Sequence, residues 1–311
     1  MDLTFTDDQS ALANSVTAIV NRHAEIRKGP TVKAVAYSYG DDLDRDLAEN
    51  GFLDILREDS FGPLEVAIMI AEVSRSPHVV ETVGSALVAP SILPGQTLPR
   101  PIAIARAEDL TRAVRFLDRA RTVLVDAGDR ILALAIAPGD TTEAKSTLAC
   151  PMGRFLAPPD LAKGQEIDVH PEEFRRLWQL GLTLEISGAL RSALAFTVDY
   201  VKSRHVFGRP VGSFQAVQHR LAIGTPLAEG AYWTGLRAAW SGSPIDAASS
   251  LLHAQGAITQ TIYDAQQFNG ALGFTLEHPL HFWTQRLRLL EGELGGVHEQ
   301  AEIVADLAWP D

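Results

Sequence analysis

Leu12, Val16, Ile19 and Val20 recur at helical spacing behind Thr6 and Gln9, whose three-residue separation predicts a capping box at a helix start. The run "DDLDRDLAENG" carries Leu43 and Leu47 toward Gly51, a glycine stop, and Pro63 opens the apolar run "PLEVAIMIAEVSRS". Residues 1–98 therefore read as an N-terminal helical domain that ends in the proline-rich connector "APSILPGQTLPRP". From 99 to 170 the period changes. "PIAIARA" and "TVLVDAGDRILALAIAP" are short, β-rich runs, the second split by a turn signal, so a reduced β domain is expected here. "EDLTRAVRFLDRA" has helical spacing within it, and "CPMGRFLAPPD" reads as a loop. Residues 171–311 return to helical periodicity: a long helix from Pro171 to about Arg204, two runs separated by "SGSPID", a break at "NGALGFTLEHP", and a last helix through Ala308. "FGRPVGS" is a turn, with Ser213 placed to cap the helix after it.

Composition narrows the function classes. The chain has 311 residues, 46% of them hydrophobic, with 27 basic and 39 acidic side chains and a net charge of −12. That balance opposes nucleic-acid binding, which rests on basic neutralisation of phosphates. A single cysteine, Cys150, cannot form an intrachain disulfide. The polar start "MDLTFTDDQS" lacks signal-peptide character, and no apolar run approaches the roughly 20 residues of a membrane helix, so a cytoplasmic location is expected.

Two loops hold the candidate chemistry. In "SRHVFGRPVGSFQAVQHRLA", Arg204 ends a helix beside Phe207 and Gly208, and Gln215 begins the next. An arginine fork suits a phosphate, and a glycine lets a ligand approach the backbone. A cation at a helix C-terminus is also favoured by the helix dipole alone, so two readings of Arg204 stand. The second loop, "QQFNGALGFTLEHPL", offers Gln267, Gly270 and Gly273, which suit either a pyrophosphate contact or a helix stop and tight turn. His278 and His281 lie three apart without an accompanying ligand set, which argues against metal.

Taken together, Tyr200 to Ala222 ("Y…R-x-x-F-G-x-x-x-x-x-F-Q-x-x-Q-x-x-L-A") and "Q-x-x-G-x-x-G-F-T-x-E-H-P" resemble the C-terminal domain of the acyl-CoA dehydrogenases. The order of the motifs and the helix–sheet–helix layout match that family over essentially the whole chain. The resemblance implies a C-terminal four-helix bundle forming a dimer interface, FAD as cofactor, and an electron-transfer flavoprotein as acceptor. It also implies that Arg204, Phe207, Gly208, Gln215, Gln267, Gly270 and Gly273 reach FAD bound mainly by a neighbouring subunit.

The chain departs from the family where the chemistry is done. Dehydrogenation needs a carboxylate within reach of the substrate α proton. The family usually supplies it from a "Y-E-G-T" loop, but this chain reads "RLRLLEGELGGVHEQ", with Leu294 near that position and Glu291 and Glu293 nearby. A minority places the base on the first long helix of the domain, where this chain has Trp178. Glu185, two turns after Trp178 on the same helix side, is the remaining candidate. Short members are similar in carrying a glutamate there, followed by a glycine, here Gly188. A structural glutamate paired with a basic residue of a neighbouring helix is the competing reading. Nothing between 98 and 170 resembles the family's "T-E-P-x-x-G-S-D" flavin-ring segment.

The resulting expectation is a catalytically deficient subunit of an FAD-dependent acyl-CoA dehydrogenase, in a heterodimer or heterotetramer. It is similar to the shortened subunits that oxidise steroid side-chain CoA esters in actinobacteria. Two alternatives stand beside it: an active homo-oligomer using Glu185 or another acid, and a flavin-free interaction protein of the same fold.

Overall fold

A computed structural model describes residues 4–25 and 38–309. In the N-terminal part, α1 (Asp7–Arg22) starts at the expected capping box: the Thr6 hydroxyl accepts the Gln9 amide, and the Gln9 side chain accepts the Thr6 amide. Its stripe of Leu12, Val16, Ile19 and Val20 is buried against α3 (Pro63–Val73). Helix α2 (Asp41–Glu49) buries Leu43 and Leu47 and stops before Gly51, whose positive φ of 78° a side chain would resist. A π-helical turn, Val83–Val88, leads through α4 (Ala89–Ile92) into the connector.

Strand β1 (Ile102–Arg106) begins the β layer and pairs in parallel with β3 (Thr122–Asp126). Strands β4 (Ile131–Ala135) and β7 (Gln165–Ile167) extend the sheet antiparallel, in the order β1-β3-β4-β7. A second sheet, β2-β6-β5, joins β2 (Val114–Arg115), β6 (Met152–Phe155) and β5 (Thr141–Glu143). Side-chain alternation divides β4 between two cores. Ile131 and Ala133 join the large helical core, while Leu132 and Leu134 join a small core with Val123, Val125, Leu110, Val114 and Leu117.

Two sequence expectations fail in this layer. "EDLTRAVRFLDRA" forms a 3-10 turn (Ala107–Thr111) and β2 rather than a helix. Its helically spaced Leu110, Val114 and Leu117 all fill the small core, so strand pairing overrides local periodicity. "CPMGRFLAPPD" contains β6 rather than only loop, with Gly153 paired to Val114. A Cβ on Gly153 would lie 2.1 Å from the Asp118 amide nitrogen, so the two segments cross only because this residue is glycine.

The long helix α5 (Pro171–Ser203) is buried on all sides from Leu177 to Leu190, and it packs against α3, α6, α7 and α8. Here α6 is Gln215–Ser241, α7 is Pro244–Phe268 and α8 is His281–Leu290. The expected final helix is broken. Leu294, Gly295 and Gly296 adopt positive φ (51°, 77° and 66°), and α9 (Gly296–Ala308) starts anew against α7. Two consecutive glycines make that reversal inexpensive. Helices α5, α6, α7 and α9 form the C-terminal bundle.

Candidate functional site at the end of the long helix and the adjoining cleft

Arg204 leaves α5 in extended conformation, and the ribbon of β8 (His205–Val206) and β9 (Arg209–Pro210) follows. At its tip Phe207 and Gly208 both have positive φ, 51° and 78°, the two-residue hairpin geometry. Such a backbone is natural for glycine and unfavourable for phenylalanine. Phe207 is nonetheless 96% exposed, so no internal packing offsets that strain. The Arg204 side chain is exposed, without a hydrogen bond or ion pair among the described residues. Ser213 does not cap α6. Its hydroxyl donates back to the Pro210 carbonyl at 2.7 Å, and Phe214 occupies the cap position without a side-chain bond. Gln215 opens α6 and is exposed.

The second loop meets the same end of α5. Asn269 is buried and donates to the Thr197 hydroxyl at 3.1 Å and the Ala265 carbonyl at 2.8 Å. The His278 ring stands edge-on to Phe196 and Tyr200, 5.1 and 5.5 Å away. These contacts fix the loop beside the turn of α5 that precedes Arg204. Gly270, at φ 65°, is exposed, with nothing within 4 Å of where a Cβ would be. Gly273 is buried, and a Cβ there would lie 2.6 Å from the Gln266 carbonyl, so its glycine serves internal packing. Gln267, Leu272 and Phe274 are exposed. The sequence-derived residues thus gather around one end of the bundle. An unpaired guanidinium, open glycine backbone and free amides fit half of a site for an anionic dinucleotide such as FAD.

A cleft of about 450 Å³ between the β layer and the helices is lined by Trp178, Arg115, Glu293 and Leu294, with Glu185 reached through Arg115. Trp178 and Leu294, the two positions where a base would be sought, are both in its lining, and neither can accept a proton. Glu185 is 6% exposed, and one of its carboxylate oxygens accepts a 3.0 Å hydrogen bond from Arg115. It is paired as the structural reading expects, but with a residue of β2 rather than of a helix. Arg115 Nε also lies 2.6 Å from a Glu293 carboxylate oxygen, a close charge contact that is not aligned as a hydrogen bond. Burial opposes the Arg115 charge, yet Glu185 and Glu293 together hold it firmly protonated. Burial pushes Glu293 above the usual carboxylate range, with Arg115 pulling the other way. Nearby, burial pushes Cys150 up to about 12 and Arg286 down to about 10. Arg286 donates to the carbonyls of Ser74, Ser76 and Pro77 behind α3.

Every arginine lining this cleft and its neighbouring groove is engaged by a carboxylate. Arg106 pairs with Glu299, Arg112 with Asp109, Arg115 with Glu185 and Glu293, and Arg175 with Asp126. Sequence reasoning missed Arg115 because the helical spacing within "TRAVRFLDRA" left its strand register open, and that register on β2 brings it to Glu185 of α5. Glu293 was visible in the sequence, but no motif indicated that the chain reversal at Leu294 places it in the cleft. Trp283 is buried and donates to the Arg75 carbonyl, while Trp240 is 70% exposed.

Comparison with known proteins agrees with this arrangement. Residues 179–306 match the acyl-CoA dehydrogenase C-terminal domain. Acyl-CoA dehydrogenase IpdE2 of Mycobacterium tuberculosis is 27% identical over 297 residues, covering 91% of this chain and 92% of that protein. Among solved structures, the ChsE4–ChsE5 complex of Mycobacterium tuberculosis superimposes with a TM-score of 0.79 at 22% identity, over 100% of both chains. A variant of the Tcur3481–Tcur3483 steroid ACAD does so with a TM-score of 0.76 at 20% identity, over 97% of this chain and 98% of that one. The matched acyl-CoA dehydrogenase C-terminal domain forms the bundle that carries both loops, and along its whole length the chain is similar to IpdE2 and shares the fold of these solved structures.

Proposed function

We propose that this chain is the catalytically deficient subunit of a heteromeric FAD-dependent acyl-CoA dehydrogenase, contributing FAD contacts to a partner of the same family. The observation that carries this reading is a contrast between two sets of arginines. Arg204 is exposed and free of acids among the described residues, whereas each arginine lining the chain's own cleft is occupied by a carboxylate. A pyrophosphate needs unpaired donors, so the exposed loops suit it and the cleft does not.

Bound FAD would accept the hydride that leaves the substrate β carbon. This chain's residues bind and orient: Arg204 holds an anionic oxygen, Gly208 and Gly270 leave room for close approach, and Phe207, Gln215 and Gln267 contact flat and polar edges. No residue at the Trp178 or Leu294 position can remove the α proton, so the partner supplies the base. The bundle surface supports a subunit contact. Between Gln215 and Leu276 the charged residues are Arg220, Glu229, Arg237, Asp246 and Asp264, and all are paired within the chain. Ile223, Tyr263 and Trp240 are exposed on the same stretch, whose charges are mutually neutralised on a chain of net charge −12. A steroid-derived acyl-CoA ester is the proposed substrate class, because one of the similar structures is a steroid ACAD.

Co-expression with a neighbouring dehydrogenase subunit, followed by mass measurement and the visible flavin spectrum, tests the proposal. A flavin-loaded heteromer supports it, and an active flavin-loaded homo-oligomer overturns it. One observation favours the homo-oligomeric reading: Glu293, raised by burial, is a carboxylate in the cleft. Loss of turnover by two or more orders of magnitude in Glu293→Gln would establish that reading, since a positioned base contributes about 10²–10⁴ in rate.

A further inference from the structure

The second loop is pinned to one turn of α5 at both of its ends. At the first end Asn269 donates to the Thr197 hydroxyl. At the other the His278 ring stands edge-on to Phe196 and Tyr200, and Phe196 packs in turn against Trp283, 5.5 Å away. Between the two pins Leu272 and Phe274 are exposed.

The second pin is built from two imidazoles. His281 opens α8 and is 3% exposed, and its Nδ1 lies 2.7 Å from the His278 carbonyl. A carbonyl only accepts, so Nδ1 carries the proton and Nε2 holds a lone pair. That Nε2 is buried without a hydrogen-bond partner, and so is Nδ1 of His278. In a charged imidazole both nitrogens are donors. Charging either residue therefore buries an N–H that finds no acceptor, together with the charge itself.

Charged groups on the packed elements are engaged elsewhere. On α5, Asp199 and Lys202 are exposed and lie beside each other, and Tyr200 contributes a phenol. On α7, Asp264 is held by Arg220 and Gln260. On α8, Arg286 is bonded to backbone carbonyls and Arg288 to Glu291, and at the end of α3 Arg75 pairs with Glu72. Glu277 is exposed. Burial holds both imidazoles below the usual histidine range; His281 lowers His278 further, while the bond to the His278 carbonyl pulls His281 the other way.

We propose that His278 and His281 form an acid-released clasp, which holds residues 269–280 against α5 while both rings are neutral and frees the loop when they charge. The inference concerns the loop itself and needs no bound cofactor. A released loop takes up protons more readily than a clasped one. The clasp is therefore at full strength above about pH 6.5 and weakens as pH falls below it. Each imidazole can shift the equilibrium by at most about tenfold per pH unit.

Hydrogen exchange of the full-length chain at about pH 7.5 and about pH 5.5, corrected for the intrinsic pH dependence of amide exchange, tests this. Protection of residues 269–280 should fall about tenfold at the lower pH while α7 keeps its own. The imidazole NMR signals of His278 and His281 should titrate over the range in which the loop opens, below the midpoint of a free histidine. The double variant His278→Phe, His281→Asn keeps an aromatic ring against α5 and an N–H for the residue-278 carbonyl, so its loop should stay protected at both pH values. Unchanged loop protection in the wild-type chain would overturn the clasp, and so would an equal loss in α7, which would mean global acid unfolding. An imidazole midpoint above about pH 6.5 would do the same, because the rings of Phe196 and Tyr200 would then be stabilising the cation. A folded double variant that still loses its loop in acid would also overturn it.

Discussion

Arg204 and Arg115 are chemically identical, and their surroundings differ: Arg204 is exposed without an acidic partner among the described residues, and Arg115 is held between two carboxylates. The position of Arg204 was legible in the sequence because its motif is local: helix end, ribbon, glycine and next helix follow within a dozen residues. Arg115 was not, because its partners Glu185 and Glu293 lie 70 and 178 residues away and only the fold joins them. Arg204→Ala should lower FAD occupancy of the assembled complex about ten- to a hundredfold in affinity without dissociating the subunits. Excess FAD should restore activity by mass action, and Arg204→Lys should rescue only partly. Flavin absorbance against free FAD concentration reads all three outcomes. Arg115→Gln should instead destabilise the fold by about 3–5 kcal/mol, because two buried carboxylates lose their cation. Glu185→Gln should leave the activity of the complex nearly intact. Denaturant unfolding paired with turnover separates these cases, and a loss of several orders of magnitude in Glu185→Gln would make Glu185 the base after all.

Helices were easier to read than strands because each carries its own period and stop. The capping box at Thr6, the stop before Gly51 and the full length of α5 follow from a few residues in sequence. The β layer depends on pairing between distant segments, so "EDLTRAVRFLDRA" and the β6 segment were misread. Close approach of elements was equally hidden. Gly188 of α5 faces the Ala71 carbonyl, and a Cβ there would lie 2.3 Å from it, with Ser74 on the other side. Since backbone cannot withdraw cheaply, Gly188→Ala should cost about 1–3 kcal/mol in denaturant unfolding. The sheet is tied to α5 by Arg175, which donates to Asp126 at 2.6 and 2.8 Å. Burial alone would raise Asp126, but these bonds and the Gly128 amide hold it below the usual carboxylate range. A depressed acid contributes stability above its unfolded pKa and loses it as pH falls through the folded value. Asp126→Asn should therefore cost about 1–2 kcal/mol at neutral pH, limited by the exposure of Arg175, and the difference from wild type should shrink below about pH 4. A difference that persists unchanged into acid would remove the charge from the explanation.

At the scale of the whole molecule, the C-terminal end and the middle of α5 have different surroundings. Its C-terminal end presents free donors and open glycines to solvent, while its middle faces a cleft in which each cation is already satisfied. The charges of α6 and α7 are all paired within the chain, on a molecule of net charge −12. The proposed function makes this chain one half of a flavoenzyme. The ratio of flavin to protein therefore tests the account most directly, measured by absorbance on the chain alone and on its purified assembly with a partner subunit. Almost no flavin is expected on the isolated chain, and one flavin per pair of unlike chains in an active assembly. An active homo-oligomer of this chain, with one flavin on every copy, would contradict it.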